Sequence, residues 1–187
     1  HDSIIMRDCV IKAGAKVKMS VFRNLTEQDV FDSIDEMKRN IDECQILMFC
    51  GGFSAGDEPD GSGKFIANVL NNEKIAAAVE ALIARGGLIL GICNGFQALV
   101  KSGLLPYGHL GCVTKDSPTL FRNDINRHIS QIAFTRVASV NSPWLAGMNI
   151  GDTYGIPVSH GEGKFVVNEE LAKELFENGQ VAFQYAE

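Results

Sequence analysis

Two short apolar runs, each followed directly by glycine, indicate the fold class of this chain. Ile46–Cys50 leads into Gly51, and Leu88–Leu90 leads into Gly91. Continuous apolar runs of this length are typical of central parallel strands, which are buried on both faces. A helical stretch over 65–84 separates them, and strands alternating with helices predict a sheet covered on both faces. We therefore predict an α/β fold: a three-layer sandwich with a mostly parallel sheet.

Hydrophobic periodicity predicts further elements along the chain. Helices are expected over 3–13, 26–40 (N-capped by Thr26) and 168–178 (N-capped by Asn168), and strands over 16–21, 156–160 and 181–183. Residues 109–140 are rich in polar and β-prone residues. This composition predicts a segment of antiparallel strands with a turn at 121–124. Because no repeat or linker interrupts the pattern, we expect one domain over residues 1–187.

Composition narrows the function classes. The net charge of −6 argues against electrostatic binding to nucleic acid or to an anionic membrane. No apolar run approaches the roughly 18 residues that a membrane helix needs. The five cysteines are odd in number and lack paired metal-ligand spacing. We therefore expect no metal site and a reducing, cytoplasmic location.

The second apolar run leads into Gly91-Ile92-Cys93-Asn94-Gly95, followed by a helical pattern. A strand, a Gly-x-Cys-x-Gly turn and a helix form the architecture of a nucleophile elbow, which exposes the central side chain at the carboxyl edge of a sheet. The two glycines leave room where a Cβ would collide with neighbouring backbone. The helix N-terminus favours the thiolate of Cys93 over the thiol. The alternative is a buried core cysteine beside a coincidental glycine, since this motif alone is a modest signal.

A second candidate element is His160-Gly161-Glu162. If this segment is extended, residues two apart point to the same face. Glu162 then orients the imidazole while His160 exchanges a proton with Cys93. A lone His-x-Glu is more often a surface histidine beside a solvated glutamate, so the combination with the elbow carries the prediction of a catalytic triad.

The Gly51-Gly52 turn provides a third element. It follows the 46–50 strand, and ligands of doubly wound sheets gather at the carboxyl ends of the strands. A backbone N–H from Gly52 and the N–H of Asn94 are therefore candidates for an oxyanion hole. The alternative is a flexible loop.

A nucleotide site is not expected. Gly61-Ser62-Gly63-Lys64 superficially resembles a phosphate-binding loop, but Glu58 and Phe65 stand where that pattern requires Gly and Ser or Thr. We predict no cofactor in this domain.

Together these motifs resemble those of the class I glutamine amidotransferases, whose elbow reads Gly-x-Cys-x-Gly-x-Gln and whose later signature is His-x-Glu. Four stretches resemble most the branch that serves purine biosynthesis. They are Gly51–Ser54 with Gly56-Asp57, Gly91–Gln97, Phe121–Asn123 and Ser159–Gly163. The resemblance implies a flavodoxin-like fold.

The resemblance also implies a reaction. Cys93 attacks the side-chain amide of glutamine to give a γ-glutamyl thioester and ammonia. His160 protonates the leaving ammonia and then activates water, and Glu162 holds His160. The residues implied to position glutamine are Phe53, Ser54 and Gln97.

In the family, the ammonia passes to a synthetase domain that uses ATP and magnesium. The resemblance therefore implies a synthetase partner, either on the same long chain or as a separate subunit. The family's domain begins with a strand before its first helix and continues beyond its last strand. We expect this chain to be a fragment truncated at both ends.

Three other functions stay open. The chain could be the glutaminase domain of another class I amidotransferase, or a catalytically silent interaction domain of the same fold. A cysteine hydrolase of the α/β-hydrolase type is the third, but that fold places its acid before the histidine in sequence, whereas Glu162 follows His160.

Overall fold

The computed structural model describes residues 2–52 and 63–186. The chain divides into two compact units, His1–Val113 and Thr114–Glu187. Helices and strands alternate in the first unit, and strands predominate in the second. The predicted α/β class is confirmed.

The first unit contains six helices and two strands in its described part. In chain order they are α1 (Asp2–Lys12), α2 (Glu27–Glu43), β1 (Ile46–Phe49), α3 (Lys64–Leu70), α4 (Glu73–Ala84), β2 (Leu88–Gly91), α5 (Asn94–Ser102) and the short α6 (Leu104–Tyr107). Strands β1 and β2 pair in parallel, with Ile46 opposite Leu88 and Phe49 opposite Gly91. Both strands occupy the positions that the apolar runs predicted.

Side-chain caps define the ends of the helices. The N–H of Asp29 donates to the Thr26 hydroxyl at 3.1 Å, and the Thr26 N–H donates to the Asp29 carboxylate at 3.1 Å. This capping box satisfies two backbone donors at the start of α2. The helix predicted over 65–84 is two helices, because the Asn72 side chain accepts from the N–H groups of Lys74 and Ile75 and starts α4 anew.

One core holds the first unit together. Its buried apolar side chains come from α2, β1, α3, α4, α5 and α6: Ile41, Phe49, Leu70, Ile75, Ala78, Val79, Leu82, Leu99 and Leu104. The elbow between β2 and α5 is therefore supported by a packed hydrophobic core.

The strand predicted over 16–21 is wrong. Residues 15–24 pair with no strand among the described residues. Residues 15–22 line a cavity of about 850 Å³ that residues 43–50 line as well. Side chains tie the segment to α2: Asn40 donates to Ser20 at 2.6 Å, and Lys18 pairs with Glu43 at 2.7 Å. An alternating pattern predicts an extended backbone, but a strand also needs a partner for its hydrogen bonds.

The second unit contains two antiparallel sheets and one α-helix in its described part. Its elements are β3 (Thr119–Phe121), β4 (Ile129–Val137), a 3₁₀ turn (Pro143–Leu145), β5 (Thr153–His160), β6 (Lys164–Val166), α7 (Glu169–Glu177) and β7 (Phe183–Tyr185). One sheet pairs β3 with β6, and the other has the order β5-β4-β7. A turn does follow β3, but it lies at residues 123–126, where the Asn126 N–H donates to the Asn123 carbonyl at 2.9 Å, and not at 121–124, because Phe121 is the last residue of β3. The Asn168 cap is confirmed, and the last strand begins two residues later than predicted.

The sheets of the described residues are small. The parallel pairing among them is β1 with β2, and the remaining pairs are antiparallel. A mostly parallel sheet is not confirmed, because the antiparallel part extends from β3 to the last strand. No helix within 2–52 and 63–186 is long and apolar enough to cross a membrane.

Candidate active site

Cys93 lies at the sharp turn between β2 and α5. Its backbone has φ +51° and ψ −107°, a conformation that residues with a side chain rarely adopt. Strain of this kind persists only where the surrounding structure imposes it, and it concentrates at functional sites. The side chain is exposed. The alternative of a buried core cysteine is therefore wrong.

Glycines on either side allow this turn. A Cβ built on Gly95 would lie 2.7 Å from the carbonyl carbon of Phe49 in β1. A Cβ on Gly91 would lie 2.6 Å from the carbonyl carbon of Gly95. Real Cβ atoms do not approach backbone this closely, so the contact of α5 with both strands requires glycine at both positions. The predicted reason for the two glycines is confirmed.

Cys93 is also the N-cap residue of α5. The Gln97 N–H donates to the Cys93 carbonyl at 3.0 Å, and Asn94 is the first helical residue. The sulfur is therefore carried at the end of a helix where backbone N–H groups accumulate positive potential. The side chains of Asn94 and Gln97 are buried. Within the first unit, the structure places Cys93, Asn94 and Gln97 on one elbow.

Three further residues of the first unit were predicted to belong to the site: Gly52, Phe53 and Ser54. Gly52 follows β1 with a φ of +107°, a conformation that glycine adopts readily. Its role in an oxyanion hole, with Asn94, stays a prediction. Phe53 and Ser54, which were predicted to position glutamine, lie outside the described residues.

His160 is the last residue of β5, and its partner is Asn123. Nδ1 of His160 lies 3.0 Å from Oδ1 of Asn123. The Asn123 side-chain nitrogen donates to the carbonyls of His160 at 2.9 Å and Arg127 at 3.1 Å. The Asn123 backbone N–H donates to the carbonyl of Gly161 at 2.9 Å. Three hydrogen bonds therefore join Asn123 to residues 160 and 161.

Sheet topology explains why two residues so far apart in sequence meet. Since β3 pairs with β6 and β4 pairs with β5, the turn from β3 to β4 lies beside the turn from β5 to β6. Asn123 is in the first turn, and His160 begins the second. The two turns therefore form a small polar cluster at one end of these strand pairs.

Gly163 lies against the imidazole ring. A Cβ built on this glycine would be 2.6 Å from Cγ of His160 and closer still to Nδ1 and Cε1. A Cβ on Gly161 would meet nothing within 4 Å. The second glycine of the His-Gly-Glu-Gly motif therefore makes room for the ring, whereas the first does not.

Glu162 lies in a bend directly after β5. The chain is not extended through residues 161 and 162, so the expected alternation of side chains does not continue from His160 to Glu162. The role of Glu162 in holding His160 stays a prediction, as does the approach of His160 to Cys93.

The pKa of His160 is lowered from its ordinary value. Partial burial disfavours the charged ring, and the positive charge of His128 adds to the effect. His128 contacts the Ser159 hydroxyl at 2.9 Å and is exposed. Both influences favour the neutral imidazole, which is the form that can accept a proton.

Sequence reasoning missed Asn123 as a site residue. The Phe121-Arg122-Asn123 stretch was noted for its resemblance and was interpreted as a turn. The spacing of 37 residues between Asn123 and His160 follows no local rule. Asn123 is conspicuous only because it is buried, at 6% exposure, in a polar turn. That burial is a property of the folded chain and is not visible in the sequence.

These features define an α/β protein in which a strand–turn–helix elbow presents a cysteine. A family model of the CobB/CobQ-like glutamine amidotransferase domain matches residues 3–187. The chain belongs to this family, and the predicted resemblance to the glutamine amidotransferases is confirmed.

A solved structure supports the same assignment. The chain is similar to PurLQS from Thermotoga maritima, with 28% sequence identity and a TM-score of 0.59. The match covers 78% of this chain and 57% of that chain. The chain therefore spans a little over half the length of this solved relative.

Proposed function

We propose that this domain hydrolyses glutamine through a cysteine thioester and supplies the ammonia for a synthetase reaction. The observation that carries the proposal is the strained, exposed Cys93 on its elbow, in a chain of the glutamine amidotransferase family. A backbone conformation this unusual is a structural cost. It is accounted for if the sulfur must be presented to a substrate.

The proposed chemistry proceeds in two halves. His160 takes the thiol proton, and the sulfur of Cys93 attacks the side-chain carbonyl carbon of glutamine. The carbon–nitrogen bond breaks, and His160 delivers the proton to the departing nitrogen, which leaves as ammonia. Water then attacks the thioester, its proton passes through His160 to the sulfur, and glutamate is released.

Electrostatic stabilisation is proposed to come from the elbow and from the turn that follows β1. Each half of the reaction develops negative charge on the carbonyl oxygen, and backbone N–H groups of Gly52 and Asn94 are proposed to stabilise it. Loss of one such donor typically costs about 100-fold to 1,000-fold in kcat. Gln97, Phe53 and Ser54 are proposed to position glutamine, and Glu162 to assist His160.

The proposed destination of the ammonia is formylglycinamide ribonucleotide. The four stretches shared with the purine branch and the similarity to PurLQS support phosphoribosylformylglycinamidine synthase as the enzyme. Its synthetase portion, on the same chain or a separate subunit, is proposed to bind ATP, magnesium and the acceptor. We further propose a cytoplasmic location and a three-layer α/β sandwich for the complete domain.

The proposal is tested in the intact enzyme by measuring synthesis with glutamine and with free ammonia. Cys93→Ala is expected to abolish the glutamine-dependent reaction and to leave the ammonia-dependent reaction unchanged. Cys9→Ala is the control, because Cys9 is also an exposed cysteine but lies on α1. Equal loss of both reactions in Cys93→Ala, or full glutamine-dependent activity, would contradict the assigned role.

A further inference from the structure

We infer that Asn123 is a positioning residue that fixes both the tautomer and the orientation of His160. The inference deepens the proposed function and rests on it. Asn123 is 6% exposed, and both ends of its side-chain amide are engaged by residues around the β5–β6 turn. It lies in the β3–β4 turn, outside the three residues of the predicted triad.

The hydrogen-bond network determines which way the amide points. The nitrogen lies 2.9 Å from the carbonyl of His160 and 3.1 Å from that of Arg127, and both carbonyls can only accept. The oxygen receives the N–H of Gly163 at 3.3 Å. A flipped amide would place its oxygen against two carbonyl oxygens and its NH₂ against another N–H. The observed orientation is therefore the one that satisfies every partner.

The tautomer of His160 follows from this orientation. Because the oxygen of Asn123 faces Nδ1 at 3.0 Å and can only accept, Nδ1 must carry a proton. In the neutral ring, Nε2 then carries the lone pair. This is the tautomer that can take a proton from the Cys93 thiol and later return it. The lowered pKa of His160 keeps the ring in this neutral form.

The same contacts restrict rotation of the ring. Asn123 holds the Nδ1 edge, and the backbone of Gly163 lies against the ring itself. The bond from the Asn123 N–H to the Gly161 carbonyl ties the β3–β4 turn to the end of β5. The imidazole is therefore oriented before substrate arrives, as efficient proton transfer requires.

In this structure Nδ1 of His160 faces the amide oxygen of Asn123, and the role of Glu162 in holding His160 stays part of the proposed function. A single N–H makes one well-aligned hydrogen bond, so an amide oxygen and a carboxylate are competing acceptors. Asn123 fixes the tautomer without placing a negative charge beside the ring. A neutral acceptor leaves the pKa of His160 low, whereas a carboxylate at Nδ1 would raise it.

The decisive measurement is the ring ¹⁵N spectrum of His160 in the labelled chain, since the shifts of a protonated and an unprotonated nitrogen differ. The wild-type chain is expected to show a protonated Nδ1 and a bare Nε2. Asn123→Ala is expected to lose this preference and to populate the Nε2–H form. A wild-type ring protonated at Nε2, or an unchanged preference in Asn123→Ala, would overturn the inference.

Asp124→Ala is the matched control. Asp124 and Lys164 form an exposed ion pair at 2.5 Å that joins the β3–β4 turn to the first residue of β6. Its removal loosens that connection while leaving the hydrogen bond at Nδ1. We expect the His160 spectrum of Asp124→Ala to match the wild type. A change equal to that of Asn123→Ala would assign the effect to general loosening of the turns and would refute a specific role.

Activity of the intact enzyme gives a second test. Asn123→Ala is expected to lower kcat for ammonia release by about 100-fold with little change in KM, because an incorrectly protonated base loses the benefit of general acid–base catalysis. Asn123→Asp retains an acceptor for Nδ1–H and is expected to recover part of kcat. Its charge should also raise the pKa of His160 and move the acid limb of the pH profile to higher pH.

These results separate the inference from the proposed function. If the wild-type enzyme releases no ammonia from glutamine while the spectra change as expected, the proposed function fails and the tautomer assignment stands. If ammonia is released but Asn123→Ala keeps full kcat and the same tautomer, the inference fails and the proposed function stands. Should Asn123→Ala fail to fold, the Asn123→Asp spectrum and pH profile provide the test, and an unshifted acid limb refutes the inference.

Discussion

Replacing Gly163 by alanine should displace the imidazole of His160 without removing any functional group. The Cβ of the new residue would lie 2.6 Å from Cγ of the ring, whereas ordinary van der Waals contact is 3.4–4 Å. The ring must therefore retreat by about 1 Å. A displacement of that size at a reacting group can reduce the rate by about 100-fold. We expect a loss of this order in kcat for glutamine hydrolysis.

The stability of the chain should change much less than its activity. Overpacking a rigid core typically costs about 1–3 kcal/mol, but the His160 ring is only half-buried and can rotate outward. We expect the cost to lie near 1 kcal/mol, so the variant remains folded. Ammonia-dependent synthesis by the intact enzyme should be unaffected, since that reaction does not use His160.

Gly161→Ala is the matched control, because its Cβ would enter open space in the same motif. The assay is the initial rate of ammonia release from glutamine for wild type and both variants, with the free energy of unfolding measured in parallel. We expect Gly161→Ala to keep near-wild-type kcat. If both variants lose activity equally, or if Gly163→Ala keeps full activity, the reasoning that connects this glycine to the ring is wrong.

Two further predictions concern charge and helix capping. His128→Gln removes a positive charge that lowers the pKa of His160, so the pKa should rise and the acid limb of kcat/KM should move to higher pH, because protonated His160 cannot accept a proton. His109→Gln is the control, and an unshifted limb in His128→Gln would contradict the charge effect. Asn72→Ala removes the side-chain cap of α4 and should lower the free energy of unfolding by about 1 kcal/mol. Asn71→Ala should change it by less than about 0.5 kcal/mol, and equal effects in chemical denaturation would refute the capping role.

The elbow was predictable from sequence because its determinants are local. The strand, the turn and the helix that follows lie within some fifteen residues. Each glycine of the turn is required because a Cβ would collide with nearby backbone, and this requirement is visible in the sequence as the Gly-x-Cys-x-Gly motif. The caps at Thr26 and Asn168 were predictable for the same reason. The division of the 65–84 helix at Asn72 could also have been predicted, since an asparagine directly before a glutamate is a favourable helix N-terminus.

The features that the sequence did not predict depend on contacts between residues that are far apart in the chain. The 16–21 segment has the alternation of a strand, but pairing depends on a neighbour that the pattern does not identify. The hydrogen bond of Asn123 to His160 depends on the pairing of four strands in two sheets. The prediction that Glu162 orients His160 assumed an extended backbone, whereas the chain bends at residues 161 and 162, so the role of Glu162 stays a prediction.

The claim on which the proposed function depends is that the Cys93 sulfur is the atom that bonds to glutamine. The intact enzyme can be incubated with a chloroketone analogue of glutamine and digested, and the modified peptide identified by mass spectrometry. We predict a single modified cysteine, Cys93, protected by added glutamine, with no modification at Cys9 or Cys112, which are also exposed. Modification of those cysteines at the same rate, or modification of Cys93 that glutamine does not slow, would contradict the assignment.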